Sequence, residues 1–166
     1  MKHYHHVSKV AFLLLLVLVL PAVAGKPIIT ISPVTPFVIP ADGGCGTFDL
    51  YVAPEPGRPN GERLIEFTNA AIFQGPVFLT VKNLSTGNTI NLNLSGPTML
   101  SFANNTFTLT GPFITFGLPA NLAGPAGLPA VGFAHGRLVL GFDPLTGNVI
   151  SLSFTGSVQD VCKLLE

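Results

Sequence analysis

From Phe48 onward, apolar residues recur at every second position in short runs. Phe48, Leu50 and Val52 alternate with Asp49 and Tyr51. Ile90, Leu92 and Leu94 alternate with Asn91, Asn93 and Ser95, and Leu138, Leu140 and Phe142 and then Ile150, Leu152 and Phe154 repeat the pattern. A strand points successive side chains to opposite faces, so this period places one face in a core and the other in water. Each run is short and ends at Gly, Pro, Asn or Asp, which break strands into turns. Many such runs at close spacing predict an all-β fold, an antiparallel sandwich or small barrel. Phenylalanine supplies the bulk of the expected core without a polar atom to satisfy. The expected inward set is Phe48, Phe67, Phe102, Phe107, Phe142 and Phe154 with Leu92, Leu94, Leu138 and Leu140. The one helix signal is at the C-terminus, over 157–165, with Ser157 as N-cap and Val161, Leu164 and Leu165 on one face.

Turn chemistry places three hairpins, at Asn83 to Asn88, at Asn104-Asn105 and at Asp143 to Asn148. The first and third match. Thr86-Gly87-Asn88, Ile90, Leu92 and Gly96 recur 60 residues later as Thr146-Gly147-Asn148, Ile150, Leu152 and Gly156. Duplication and convergence both produce such a match. The flanking segments differ, which favours convergence. Two stretches resist the strand pattern. Residues 53–61 hold Pro54, Pro56, Pro59 and Gly57 and read as a loop, and residues 117–132 read as a long Ala/Gly/Pro loop.

The N-terminus sets the compartment. Lys2 and Lys9 bracket a basic start, residues 10–20 are an unbroken apolar run, and Pro21 precedes Ala22-Val23-Ala24. That is the three-part layout of a signal peptide, expected over 1–24, and an 11-residue run falls short of the roughly 18–20 needed to span a membrane. Removing 24 of 166 residues leaves 142, one domain of ordinary size. Residues 25–41, with Pro27, Pro33, Pro36 and Pro40, read as an extended arm in which residues 28–31 pair at an edge. Residues 42–166 read as a single β domain.

Loss of Lys2 and Lys9 takes the Lys/Arg count from eight to six against eight Asp/Glu, a net charge of about −2. No basic patch is left to release counterions, so nucleic acid is not an expected partner. No transmembrane segment is expected after cleavage, and no cofactor motif is present: no Gly-rich phosphate loop, no calcium loop. Cys45 and Cys162 are the two cysteines. In an exported chain an even pair is most simply a disulfide; free thiols and intermolecular bridges are the alternatives. Two Cys and one distant His make a poor tetrahedral set, so no metal is expected.

Cys45-Gly46, the segment Asn83-Leu84-Ser85-Thr86-Gly87 running into Leu92-Asn93-Leu94-Ser95-Gly96, and Asp160-Val161-Cys162-Lys163-Leu164-Leu165 resemble a group of small exported proteins of actinomycetes. The resemblance spans roughly Cys45 to Leu165. It implies an exported compartment and a disulfide, and it implies no reaction.

Candidate chemistry is sparse. His135 is the one histidine after the leader, and no Gly-x-Ser-x-Gly elbow accompanies it. Glu62 and Glu66 flank Leu64 on one expected strand face, an arrangement that serves acid/base work on a sugar when the carboxyl separation is right. A solvated strand face is the plainer reading of both carboxylates. The sequence therefore points to an exported or cell-surface non-enzymatic β domain with a protein or apolar-ligand partner. The alternative is a secreted hydrolase using Glu62, Glu66 or His135.

Overall fold

A computed structural model describes residues 27–166. The expected signal peptide at 1–24 lies outside the described residues. The chain is all-β and sandwich-like, and every strand pairing is antiparallel. The strands are β1 (Ile28–Ser32), β2 (Phe37–Ile39), β3 (Leu50–Pro54), β4 (Glu62–Glu66), β5 (Ala70–Gln74) and β6 (Phe78–Asn83). They continue with β7 (Thr89–Asn93), β8 (Thr98–Ser101), β9 (Thr106–Phe116), β10 (Val131–Phe142) and β11 (Val149–Asp160). A seven-stranded sheet runs β1-β4-β5-β8-β9-β10-β11, and a four-stranded sheet runs β2-β3-β6-β7. Among the described residues two α-helices are present, α1 (Ala120–Ala123) and α2 (Val161–Leu165).

The prolines at 33, 36 and 40 keep residues 27–40 extended, and that segment contributes a strand to each sheet. β1 pairs with β4 at one edge of the larger sheet, and β2 pairs with β3 at one edge of the smaller. Ile39 is buried in the core that the smaller sheet builds.

Two apolar clusters hold the fold. The first joins Leu50, Val52, Leu79, Val81 and Leu92 of the small sheet to Val131 of β10 and to Val161 and Leu165 of α2. The second lies on the opposite face of the large sheet, where Phe113, Ala134, Leu138 and Leu140 meet Ala123 and Leu128. Phe48, Phe107, Phe142 and Phe154 pack into these clusters as expected. Phe67 and Phe102 do not. Both sit in the turns after β4 and β8 and are exposed, because those tight turns carry the chain beyond either core.

The three longest strands carry a glycine at one shared level. Gly136 pairs with Gly111 on one side and Gly156 on the other, with φ of 147°, 87° and 151° respectively. Val131 and Phe133, before this level, pack under the small sheet, whereas His135 and Arg137 on the same face are exposed. Glycine supplies these φ values without Cβ strain and bends a strand where two backbones approach closely.

The matching hairpins are built atom for atom alike. Asn83 Oδ1 accepts from the amides of Ser85 and Thr86, and Asp143 Oδ1 accepts from those of Leu145 and Thr146. Thr86 and Thr146 each accept from the amide two residues on. The first hairpin belongs to the small sheet and the second to the large one.

The C-terminal helix is shorter than the sequence suggests. It begins at Val161, and Asp160 caps it by accepting from Cys162 and Lys163 amides at 3.0 and 3.4 Å. Ser157 lies in β11, because pairing with β10 holds the chain extended to Asp160. A one-turn helix also interrupts the 117–132 stretch. Ala123 and Leu128 bury themselves there, which ties down what the composition suggests is a free loop.

Cys45 and Cys162 form a disulfide across a sequence separation of 117. The bridge joins the segment before β3 to α2. Disulfides persist in oxidising compartments, so this bond suggests a non-cytoplasmic setting. Among the described residues, no helix is long and apolar enough to cross a membrane.

Candidate functional site

The three acid/base candidates do not meet. Glu62 and Glu66 open and close β4, on one face of the large sheet. Their Cα atoms stand about 13 Å apart at 3.3 Å per residue. Paired glycosidase carboxyls stand about 5–9.5 Å apart, so these two would have to lean toward each other across Leu64. Glu66 instead is exposed opposite Ala71 and Ile28. Glu62 turns to a small cavity of about 120 Å³, lined by Thr98, Leu109, Phe113 and the Val77 and Leu94 side chains. Burial alone pushes its carboxyl above the ordinary glutamate range.

His135 is on β10, with β5, β8 and β9 between it and β4. The register also puts it on the opposite face. Leu64 aligns in turn with Phe73, Thr98, Leu109 and Leu138, and His135 is an odd number of residues from Leu138. Its ring stacks edge-on to Phe133 at 4.7 Å, and its strand neighbours are Pro112 and Ser157. Neither neighbour supplies a nucleophile and carboxylate together, so no relay forms. Among the described residues, no group of three His, Cys, Asp or Glu stands close enough to hold a metal.

The better-formed site is at the loop end of the molecule. A cleft of about 430 Å³ opens between the 3-10 turn at Ala41–Gly43 and the segment around α1. The local chemistry explains both walls. Pro40 starts the turn and cannot donate. The Ala41 amide instead donates to Asp49 Oδ1 at 2.7 Å, and the Gly43, Gly44 and Gly46 amides close back on Pro40 and Ala41. A side chain at Gly44 would press the Ile39 and Val131 methyls at 2.9 and 3.4 Å, so glycine lets the turn seat on the core. On the facing wall, Pro119 accepts from Leu122 and Ala123 amides, and the Leu128 amide returns to Ala123 at 3.0 Å. This fixes α1, and Leu118, Ala123 and Leu128 present an apolar lining. Among the described residues, Asp42 is the one ionisable group in the wall.

A second depression of about 350 Å³ lies beside α1, over Asn121, Leu122 and Phe154. Another of about 450 Å³, over Arg63, Gln74 and Ser95, is shallow and open to solvent. The loop-end cleft is more enclosed than either and is framed by anchored backbone. The sequence reading passes over Asp42. Its segment, Ala41-Asp42-Gly43-Gly44, reads as the start of a domain, and nothing in its pattern shows that residues 117–130 pack opposite it.

No protein-family model matches the chain, and neither does any of the curated proteins or solved structures compared with it.

Proposed function

We propose that this is an exported, non-enzymatic binding domain whose recognition site is the cleft between the Ala41–Gly43 turn and the α1 segment. The observation that carries this reading is the cleft itself. Its volume of about 430 Å³ falls within the roughly 300–1,000 Å³ of ligand pockets. Its lining is apolar and small-residued, with one carboxylate to fix orientation. A lining of Gly, Ala, Leu and Pro has no acid/base pair or nucleophile and suits an apolar ligand or an apolar segment of a partner. The disulfide and the signal-peptide layout at 1–24 support export, to the medium or the cell surface.

The test is native mass spectrometry of the protein collected from its own secretion medium. The expected result is a fraction carrying added mass that is lost on denaturation. Ala120→Phe, an exposed position on the cleft wall, should abolish that fraction and leave the fold intact. Protein that carries the chain mass alone, or added mass that survives Ala120→Phe, would end the reading.

A further inference from the structure

The outer edge of β1 is built unlike an ordinary sheet edge. Among the described residues, β1 ends the seven-stranded sheet, so one row of its N–H and C=O groups has no strand partner. Natural edges are blunted with charge, proline or a bulge. Between Pro27 and Pro33, β1 itself has none of these: its sequence is Ile-Ile-Thr-Ile-Ser, and its pairing with β4 is regular throughout. Ile28, Ile29 and Ile31 are 64%, 61% and 72% exposed. The other edge of the sheet, β11, shows Ser151, Ser153, Thr155, Ser157 and Gln159 on alternate positions.

The apolar character extends inward from that edge. The register aligns Ile29 with Ile65, Ile72 and Met99 across β1, β4, β5 and β8. Ile65 and Ile72 are half-buried and Met99 is exposed, so one face carries an apolar row leading to an open edge. Exposed patches of this kind mark interaction surfaces. The unpaired backbone row also dictates the occupant's shape, which is an extended strand.

We propose that the occupant is β1 of a second copy, paired antiparallel about a two-fold axis at Thr30. In that register Ile29 of each copy lies opposite Ile31 of the other, on the same face as the apolar row. The rows of the two molecules then run together across the joined sheet. No charge sits on β1, so the axis brings no like charges into opposition. A two-fold contact is self-complementary and closes at two copies, so it uses up the edge and stops there.

The experiment is sedimentation equilibrium of the protein from the secretion medium, wild type and three variants. Wild type should run at twice the chain mass. Ile29→Lys and Ile31→Glu each set a charge against an isoleucine, and each should weaken association about tenfold or more. Both positions are exposed, so the monomer should keep its unfolding midpoint. The double variant Ile29→Lys/Ile31→Glu places opposite charges across the axis in this register and should recover the dimer, less so at high salt. A wild-type monomer at the highest soluble concentration would overturn the proposal. A dimer indifferent to Ile29→Lys would overturn it as well, because that dimer would use another surface. Failure of the double variant to recover would overturn the Thr30 register.

Discussion

Gly136→Ala is the sharpest single test of how the long strands are shaped. A Cβ on Gly136 would collide with the carbonyl oxygen of Thr155 and stand 2.8 Å from the Gly156 Cα. Both obstacles are backbone, so no side chain can rotate away. The φ of 147° adds its own cost for any residue with a Cβ. Strain at such a backbone position is worth about 1–3 kcal/mol. Overpacking adds about 1–3 kcal/mol. Together they give a loss of about 2–6 kcal/mol, a large share of the roughly 5–15 kcal/mol that holds a domain. At a urea slope of about 2 kcal/mol/M the midpoint should fall by about 1–3 M. Far-UV circular dichroism is the readout, because the chain has no Trp. The control is Gly147→Ala. That residue has a φ of 71° but open space around it, so it should cost about 1–2 kcal/mol from the backbone alone. If Gly136→Ala costs no more than Gly147→Ala, close approach across β10 and β11 is not what demands glycine there.

Three further outcomes follow from named contacts. Replacing Cys45 and Cys162 with Ser should cost about 4–5 kcal/mol, from loop entropy over 117 residues; a loss of unfolding free energy below about 1 kcal/mol in urea titration would contradict a native role for the bridge. Asn83 is fully buried, and its Nδ2 donates to the Leu165 carbonyl at 3.0 Å while its Oδ1 organises the β6–β7 turn. Asn83→Ala should cost about 2–4 kcal/mol, and Asn83→Asp, which keeps the turn acceptor and loses the donor, should still lose the Leu165 contact and unfold at lower urea than wild type. Glu62 binds its proton more tightly folded than unfolded, so the wild type loses stability as pH rises from the ordinary glutamate range through the raised value. Glu62→Gln should therefore match wild type on the acid side of that window and exceed it at neutral pH, and urea midpoints at both ends check the sign.

Much of the strand content was legible because period two is a local signal. Leu92 and Leu138 reach the core on the faces their alternation assigns. The three hairpins also followed from local chemistry: an Asn or Asp side-chain oxygen and a glycine close the turns at Asn83 to Asn88 and Asp143 to Asn148, and Asn104-Asn105 closes the other without a glycine. Asn105, with a φ of 50°, takes the conformation that Asn tolerates best. The errors fall where distant contacts decide. Phe67 and Phe102 belong by pattern to the inside, but their turns project them outward. β11 overrides the Ser157 cap because a long partner strand supplies hydrogen bonds that a short helix cannot match. The loop-end cleft was the least visible part. Its walls lie some 75 residues apart in sequence and meet through Ile39, Gly44 and Val131, and single-chain spacing carries no trace of that.

The attachment of α2 has a consequence for the order in which the molecule is completed. Val161 and Leu165 belong to the same cluster as Leu50, Val52 and Val81, and Asn83 and Asn88 grip the Leu165 and Glu166 carbonyls. Synthesis delivers β2, β3, β6 and β7 long before these residues exist. Until then the early strands have a keystone missing, and Cys45 waits over more than a hundred residues for its partner. Closure of the small sheet therefore waits for α2. Until α2 is made, the Cys45 thiol has no partner and stays open to every passing disulfide, and the arrival of Cys162 is what ends that exposure.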